Sequence, residues 1–280
     1  MIREAKAHYN SVTDAWRIIL GENFHLGYFK PEIRTLFEAA NTLINELAGL
    51  AHINRNTKIL DVGCGIGGPA IYLHKKFGCF ITGITISEKG VELAKRESEK
   101  RGYSQKVKFR LSDALDNGFN EKSFDLAWVM ESSHLMRDKN KLFSESYRVL
   151  KNNGVILLCD MVLKKEISVL DIVKYQKQIE IMERVFGTAQ TQTLQYYKKG
   201  LEKTGFSNIV TLDVSENIFP SMEYWRTSVI QNREEVLKSF SPEKIEEFIS
   251  ACDILEDFYR RGILGYGFVK AEKLKDKDKA

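Results

Sequence analysis

The sequence has 280 residues, of which 43% are hydrophobic and 29% charged, an ordinary composition for one large globular domain with an elaboration or for two small ones. Its 42 basic and 38 acidic residues are spread along the chain, so no basic stripe indicates a nucleic-acid partner. The start is polar, and the longest apolar run, VILLCDMVL, is about half of the roughly 18 residues that span a bilayer. We therefore expect a cytoplasmic protein without membrane insertion that binds a small molecule, with homo-oligomerisation left open.

The pattern of the chain predicts an α/β fold. We assign residues 1–57 to an N-terminal helical cover. Short apolar runs then alternate with amphipathic stretches, as parallel strands and their crossover helices do. Ser87 is a predicted N-cap in this region, and the strand-like runs are KILDV, CFITGI, VKFRL, FDLAWVM and GVILLCD.

The last third of the chain completes this pattern. A helix is predicted to end at Gly205, followed by strands near SNIVTLDV and LGYGFVK. We therefore expect a doubly wound, seven-stranded, mostly parallel sheet, with its core in residues 58–219 and 262–272. Residues 220–261 are interpreted either as a helical lid insertion or as ordinary packing helices. The polar residues 273–280 are predicted to form a flexible tail.

The four cysteines indicate neither disulfides nor a metal site. They are Cys64, Cys79, Cys159 and Cys252, and they form no C-x-x-C pair and no metal-ligand spacing. Three of the four lie in apolar, strand-like segments, where a reduced thiol behaves as a small hydrophobe.

The stretch ILDVGCGIGGPAIYL places four glycines between a strand and a helix. Such a turn lets a ligand approach the backbone closely and presents free N–H groups at the start of the helix. Gly63, Gly65 and Gly68 match the dinucleotide pattern G-x-G-x-x-G, which is weakly specific and does not exclude NAD. Asp61 stands two residues before the first glycine, where it can accept hydrogen bonds from the loop or from a ligand amine.

Three motifs in order resemble the class I S-adenosylmethionine-dependent methyltransferases over about half the chain. They are LDVGCGIG, SDALDNGFNEKSFDLAWVMES and ESYRVLKNNGVILLCD, with HLGYF and GITIS beside them. The resemblance is to a small-molecule branch that includes rebeccamycin sugar O-methyltransferase, glycine sarcosine N-methyltransferase, tocopherol methyltransferases and geranyl diphosphate C-methyltransferase. It implies a Rossmann-like fold and S-adenosyl-L-methionine as cofactor.

The resemblance also implies roles for single residues. The backbone of Gly63, Cys64 and Gly65 would line the methionine part of the cofactor. Asp113 would bind the adenine amino group beside a backbone contact from Ala114, although an aspartate there also suits a turn or an N-cap.

One position departs from the expected pattern. About 20 residues after the glycines, many methyltransferases and NAD enzymes carry an acid that holds the ribose, whereas this chain reads Thr85-Ile86-Ser87. We expect the Thr85 and Ser87 hydroxyls, the backbone or Glu88 to contact the ribose and Ile86 to pack on adenine. The missing acid also counts against NAD.

The segment ESSHLMRD follows the fourth strand, at the edge where open α/β sheets bind ligands. The unperturbed pKa of a histidine lies close to neutral pH, which suits His134 as a general base for a hydroxyl, and Asp160 at the end of the fifth strand is predicted to orient it. Packing or turn roles are the alternatives for both. In rebeccamycin-type relatives a histidine and an aspartate at these positions are implicated in deprotonating a sugar hydroxyl.

Glu131 is open to two further interpretations. It could hold the loop or the cofactor's amino group, or it could stabilise a carbocation during methylation of an alkene, aided by aromatic rings. Tyr28 is expected near the methyl-transfer centre, whereas Tyr9, Trp16, Phe24 and Trp225 suit either a cation site or packing. The sequence thus favours O-methylation of a natural product or metabolite, with C-methylation, N-methylation and a non-methylating cyclase as alternatives.

Overall fold

The computed structural model describes residues 2–275, with side chains described from residue 6 onward. Seven strands form one sheet in the order β3-β2-β1-β4-β5-β7-β6. β7 runs antiparallel to β5 and β6, and the other pairs are parallel. The expected seven-stranded, mostly parallel sheet is confirmed. The strands are β1 (Lys58–Val62), β2 (Phe80–Thr85), β3 (Val107–Leu111), β4 (Phe124–Met130), β5 (Leu150–Leu163), β6 (Ser207–Asp213) and β7 (Leu264–Lys273).

Helices flank the sheet and cover its carboxyl edge. They are α1 (Ile2–Leu20), α2 (Leu36–Ala48), α3 (Gly68–Phe77), α4 (Glu88–Lys100), α5 (Lys139–Val149), α6 (Val169–Lys174), α7 (Gln176–Phe186), α8 (Leu194–Thr204), α9 (Ser215–Ile218), α10 (Ser221–Gln231), α11 (Arg233–Val236) and α12 (Pro242–Arg260).

The predicted helix boundaries rest on recognisable caps. The Ser87 hydroxyl accepts a hydrogen bond from the Gly90 N–H at the start of α4. Gly205, with a φ of 103°, ends α8 in the left-handed conformation. Pro242 begins α12, where its missing N–H has no intrahelical partner to lose.

The core lies on both faces of the sheet. Successive residues of β4 point to opposite sides, so Trp128 packs in one apolar cluster and Val129 in the other. The cluster around Trp128 also receives α1, α2, α10 and α12 through side chains such as Trp16, Leu43 and Phe248. This larger cluster therefore joins the N-terminal helices and residues 220–261 to the sheet.

The division of the chain into cover, core and lid stays a prediction, with one correction at the tail. Lys273 is a buried residue of β7, because it pairs with Gly154 and donates to the carbonyls of Tyr147 and Leu150. The flexible tail therefore does not begin at residue 273, and residues 276–280 lie outside the described part. Among residues 2–275, no helix is long and apolar enough to cross a membrane.

Candidate active site

A cavity of about 630 Å³ opens at the carboxyl edge of β1, β2 and β4. This is the edge at which parallel α/β sheets bind ligands, because the loops there are free to shape a crevice. The cavity brings together eleven of the residues predicted from the sequence: Asp61, Gly63, Cys64, Gly65, Thr85, Ile86, Ser87, Asp113, Ala114, Glu131 and His134.

The glycine turn forms one wall of the cavity. Gly63, Gly65 and Gly67 have φ angles of 82°, 53° and 86°, a region that disfavours residues with a Cβ. A Cβ on Gly65 would meet no protein atom within 4 Å, whereas one on Gly63 would lie 2.4 Å from the Ser132 Cβ. Gly65 therefore leaves space for a ligand, and Gly63 permits close packing of the protein itself.

Asp61 lies behind this turn with an unsatisfied carboxylate. Its Oδ2 atom is buried and has no hydrogen-bond partner among the residues that the structure describes. Burial raises the pKa of Asp61 from 3.8 to about 7, because the charged form loses its solvation. A cationic ligand group close to this carboxylate would supply the missing partner.

The far end of the cavity is formed by the ends of β2 and β3. The Ser87 hydroxyl is already occupied, since it caps α4 and donates to Asn10 Oδ1 at 2.6 Å. Asp113 accepts a hydrogen bond from the Leu115 N–H at 2.9 Å through Oδ1. The predicted turn role of Asp113 is thus present, and within the described part of the chain its other carboxylate oxygen accepts no such bond.

The predicted alternative of Glu88 as a ribose contact has no support in the geometry. The Glu88 side chain does not line the cavity and instead contacts Asn10 and Lys6 at the surface. Thr85 and Ile86 do line the cavity. The strand end at which the sequence pattern leads one to expect an acid therefore lies at the cavity wall and carries Thr85 and Ile86 instead.

His134 and Asp160 form a buried pair, with His134 lining the cavity and Asp160 behind it. The His134 ring donates from Nδ1 to Asp160 Oδ1 at 2.7 Å, which leaves Nε2 free to act as an acceptor. The other bonds to this carboxylate come from the Met161 N–H at 2.9 Å, the His134 N–H at 2.9 Å and the Ser133 hydroxyl at 2.5 Å. These four donors hold the Asp160 carboxylate in position, and the carboxylate in turn orients the imidazole ring of His134.

The charges of this pair stabilise each other. Burial by itself lowers the pKa of His134, but the Asp160 charge and hydrogen bond outweigh burial and raise that pKa above 6.5. Burial by itself raises the pKa of Asp160, but His134 and the hydrogen bonds hold that pKa below 3.8. Asp160 therefore stays ionised at neutral pH while His134 remains able to gain and lose a proton.

Glu131 ties the first and last parts of the chain to the cavity. Its Oε1 atom accepts from the Leu26 N–H at 2.9 Å and from the Tyr266 hydroxyl at 2.7 Å. Burial raises the pKa of Glu131 to about 7, although both hydrogen bonds oppose that rise. Of the interpretations open from the sequence, holding a loop is the one with direct contacts.

Tyr28 is not among the residues that line the cavity, contrary to the expected place near methyl transfer. Its N–H donates to the Ala39 carbonyl, while the preceding Gly27 N–H donates to Ser221 Oγ. This backbone course places the Tyr28 ring against Phe268, with the ring centroids 6.3 Å apart. The other four predicted aromatic residues do line the cavity: Tyr9, Trp16, Phe24 and Trp225.

Several cavity residues had no signal in the sequence. They come from α1, from the last residue of α7 and from the segment after it, which approach the site only through long-range packing: His8, Thr13, Leu20, Phe186, Thr188 and Gln190. His25 begins the HLGYF motif, whose pattern gives this residue no specific role. Burial lowers its pKa to about 4, so it is neutral at the cavity wall.

The described residues contain no group of acidic, histidine or cysteine side chains arranged to hold a metal ion. All four cysteines are buried free thiols. The cavity's own groups fit a ligand that carries a cationic group, because Asp61 Oδ2 has no hydrogen-bond partner among the described residues and Gly65 leaves space beside the backbone.

The sequence has relatives that methylate different atoms. It is 30% identical over 265 residues to 27-O-demethylrifamycin SV methyltransferase of Amycolatopsis mediterranei, with 95% of each chain covered. It is also 30% identical to phosphoethanolamine N-methyltransferase of Plasmodium falciparum, over 84% of each chain.

Solved structures share the fold at lower identity. The [4+2]-cyclase SpnF superposes with a TM-score of 0.83 and 24% identity, covering 98% of this chain and 97% of its own. Geranyl diphosphate C-methyltransferase from Streptomyces coelicolor A3(2), solved with S-adenosyl-L-homocysteine, gives a TM-score of 0.74 and 19% identity over 98% of each chain.

The sequence profile of the methyltransferase domain family matches residues 53–217, more than half of the chain. That range contains the glycine turn, the strand ends and the His134–Asp160 pair. The chain therefore belongs to the methyltransferase domain family as a small-molecule methyltransferase, and S-adenosylmethionine is its cofactor.

Proposed function

We propose that this enzyme methylates a hydroxyl oxygen of a natural product or metabolite, with Nε2 of His134 as the general base. The observation that carries the proposal is the His134–Asp160 pair. A buried carboxylate that accepts four hydrogen bonds fixes the ring through Nδ1, and the ring lines the cavity. Such a base-plus-orienter pair is needed when an acceptor must lose a proton.

The cofactor would lie along the glycine turn. The backbone of Gly63, Cys64 and Gly65 would contact its methionine part, and Asp61 would balance its amino group. The adenine would lie near Ile86, Asp113 and Ala114, with the ribose against Thr85 and the backbone near Ser87. Bound there, S-adenosylmethionine supplies a methyl group on a positively charged sulfur.

The protein's own contribution is alignment, dryness and proton removal. Methyl transfer proceeds in line, so the acceptor oxygen must be held opposite the sulfur and away from water. The aromatic side chains of α1 and α10 close the cavity with apolar surface, including Trp16 and Trp225. Neutral His134 takes the hydroxyl proton, and Asp160 stabilises the imidazolium that results.

C-methylation is the second candidate, because Glu131 and four aromatic residues do share the cavity. Two observations weigh against it. Oε1 of Glu131 already accepts two hydrogen bonds, and its pKa of about 7 makes it only partly charged at neutral pH. It is therefore a weaker partner for a carbocation than a fully ionised carboxylate. No comparable feature of the site favours N-methylation. Against a non-methylating cyclase, the relatives at 30% identity are named methyltransferases, whereas the cyclase SpnF shares the fold at 24% identity.

The test compares His134→Ala with Glu131→Gln. The acceptor is first sought by incubating the enzyme with methyl-labelled S-adenosylmethionine and a library of phenols, sugars and terpenoid alcohols and alkenes. With a hydroxyl acceptor, His134→Ala should lower the single-turnover rate by about 10²–10⁴-fold at nearly unchanged cofactor affinity. Glu131→Gln should retain most of the rate, because the amide oxygen can still accept from Leu26 and Tyr266.

His52→Ala serves as the matched control, because His52 is exposed and lies outside the cavity. The proposal fails if His134→Ala retains the full rate while Glu131→Gln loses it, a result that would assign C-methylation. A labelled product whose new methyl group is on nitrogen or carbon would also overturn it.

A further inference from the structure

Helix α6 carries apolar side chains that no other residue in the described part of the chain covers. The exposed fractions are 76% for Val169, 81% for Leu170, 46% for Ile172 and 65% for Val173, and no residue of this helix is buried. Ile167, just before the helix, is 37% exposed. We call these five residues the α6 patch. Contiguous exposed apolar side chains of this kind mark an interaction surface.

The α6 patch is held out on an ordered support. Ser168 and Asp171 form a capping box at the start of the helix. Directly after the helix, Tyr175 is buried, with its ring 5.2 Å from that of Phe258 and its hydroxyl bonded to Arg261. The start of the helix is therefore capped locally and its C-terminal end is anchored to the core, while its apolar side chains are exposed.

The segment that carries the α6 patch also forms part of the cavity. It leaves the sheet after Leu163 and returns where the Leu163 N–H donates to the Gln192 carbonyl at 3.1 Å. Its returning residues line the cavity: Gly187, Thr188 and Gln190. One excursion of the chain thus presents an uncovered apolar helix and contributes to the cavity wall.

Four exposed lysines flank the α6 patch: Lys164, Lys165, Lys174 and Lys177. The carboxylates nearest in sequence are Glu166, Asp171 and, on α7, Glu180. Asp171 is engaged in the capping box, whereas Lys164 pairs with Asp213 and Lys174 lies over the Tyr175 ring. Apolar side chains surrounded by lysines suit a layer that is apolar inside and anionic at its surface.

We propose that the α6 patch binds the surface of an anionic lipid membrane, without a spanning segment. A second copy of the chain is a poorer occupant, because a symmetric contact through this patch would bring the flanking lysines of both copies together. This proposal rests on the proposed function only for the reason why the enzyme would bind a membrane. The apolar cavity wall suits a hydroxylated acceptor that partitions into the same membrane.

The test measures sedimentation of the full-length protein with lipid vesicles. The probes are vesicles of phosphatidylcholine alone and of phosphatidylcholine mixed with phosphatidylglycerol. We expect binding to the mixed vesicles that weakens as salt screens the lysines. L170E/V173E should bind them about 100-fold more weakly, because two apolar side chains no longer enter the lipid.

The matched control is I230E/L237E, which changes two exposed apolar residues elsewhere, 54% and 41% exposed. It should bind the vesicles as the native protein does, and circular dichroism should show that both variants are folded. The proposal is wrong if the native protein does not bind mixed vesicles or if both variants lose binding equally. It is also wrong if L170E/V173E instead abolishes a dimer seen by analytical ultracentrifugation.

Methyl transfer to a water-soluble hydroxyl acceptor separates the two proposals. L170E/V173E should retain this activity, since the α6 patch lies outside the cavity. Intact vesicle binding by an enzyme that methylates nitrogen or carbon would overturn only the proposed function.

Discussion

Replacing Asp160 by Asn removes the charge behind His134 while preserving the size of the side chain. The native carboxylate accepts four hydrogen bonds, two at each oxygen. An amide accepts through only one of its two positions, so two donors lose their partner. At about 1.5–3 kcal/mol for each of the two lost charge-assisted bonds, the free energy of unfolding should fall by about 3–6 kcal/mol.

The same substitution should change the pH dependence of the reaction. Since His134 must be neutral to accept a proton, the native rate should rise as pH passes through its raised pKa and level off above it. In Asp160→Asn the midpoint should move to lower pH, because the negative charge that raised the pKa is gone. The plateau should fall by a smaller factor than the about 10²–10⁴ expected for His134→Ala.

The assay is the single-turnover rate against pH, at saturating cofactor and at a temperature where urea titration shows the variant folded. Asp125→Asn is the control, because that carboxylate pairs with Lys151 at the opposite end of β4 and is distant from the cavity. A lower rate with an unmoved midpoint would refute the electrostatic role of Asp160 and leave it a structural residue.

Three further predictions concern the cofactor. Gly65→Val should weaken S-adenosylmethionine binding at least about tenfold, since its side chain would enter the open space and strain a φ of 53°; unchanged affinity by calorimetry in a folded variant would contradict this. Asp61→Asn should stabilise the cofactor-free protein above pH 7 by about 4 kcal/mol. The sign follows because a carboxyl pKa raised from 3.8 to about 7 costs stability as pH rises through that window; urea unfolding that shows equal or lower stability at pH 8 would exclude it. Asp113→Ala should weaken cofactor binding by about 1.5–3 kcal/mol, and an effect on turnover alone would disprove the assignment.

Local patterns predicted the parts of the fold that local chemistry determines. Alternating apolar runs located the strands, Ser87 and Gly205 marked helix ends, and the glycine turn marked the cavity. His134 and Asp160 were brought together by one general rule, that neighbouring parallel strands end at the same edge of a sheet.

The errors lie where distant segments meet. The position of Tyr28 depends on two hydrogen bonds, one from its own N–H to Ala39 and one from the N–H of the preceding Gly27 to Ser221. No local sequence pattern reveals either bond. The same holds for His8 and Thr13. Both lie on α1, which is positioned at the cavity by its packing against α10 and α4. Lys273 looked like part of a polar tail because its buried acceptors are carbonyls more than a hundred residues away.

The position of β7 between β5 and β6 sets an order of events during synthesis. β6 leaves the ribosome before β7, yet it has no strand to pair with until β7 has inserted beside β5. Tyr266 on β7 also supplies one of the two hydrogen bonds to Glu131, so the wall of the cavity is completed at the same moment. The nascent chain should therefore expose an unpaired β5 edge until β7 has emerged, and the wall of the cavity should be complete only once β7 has paired with β5.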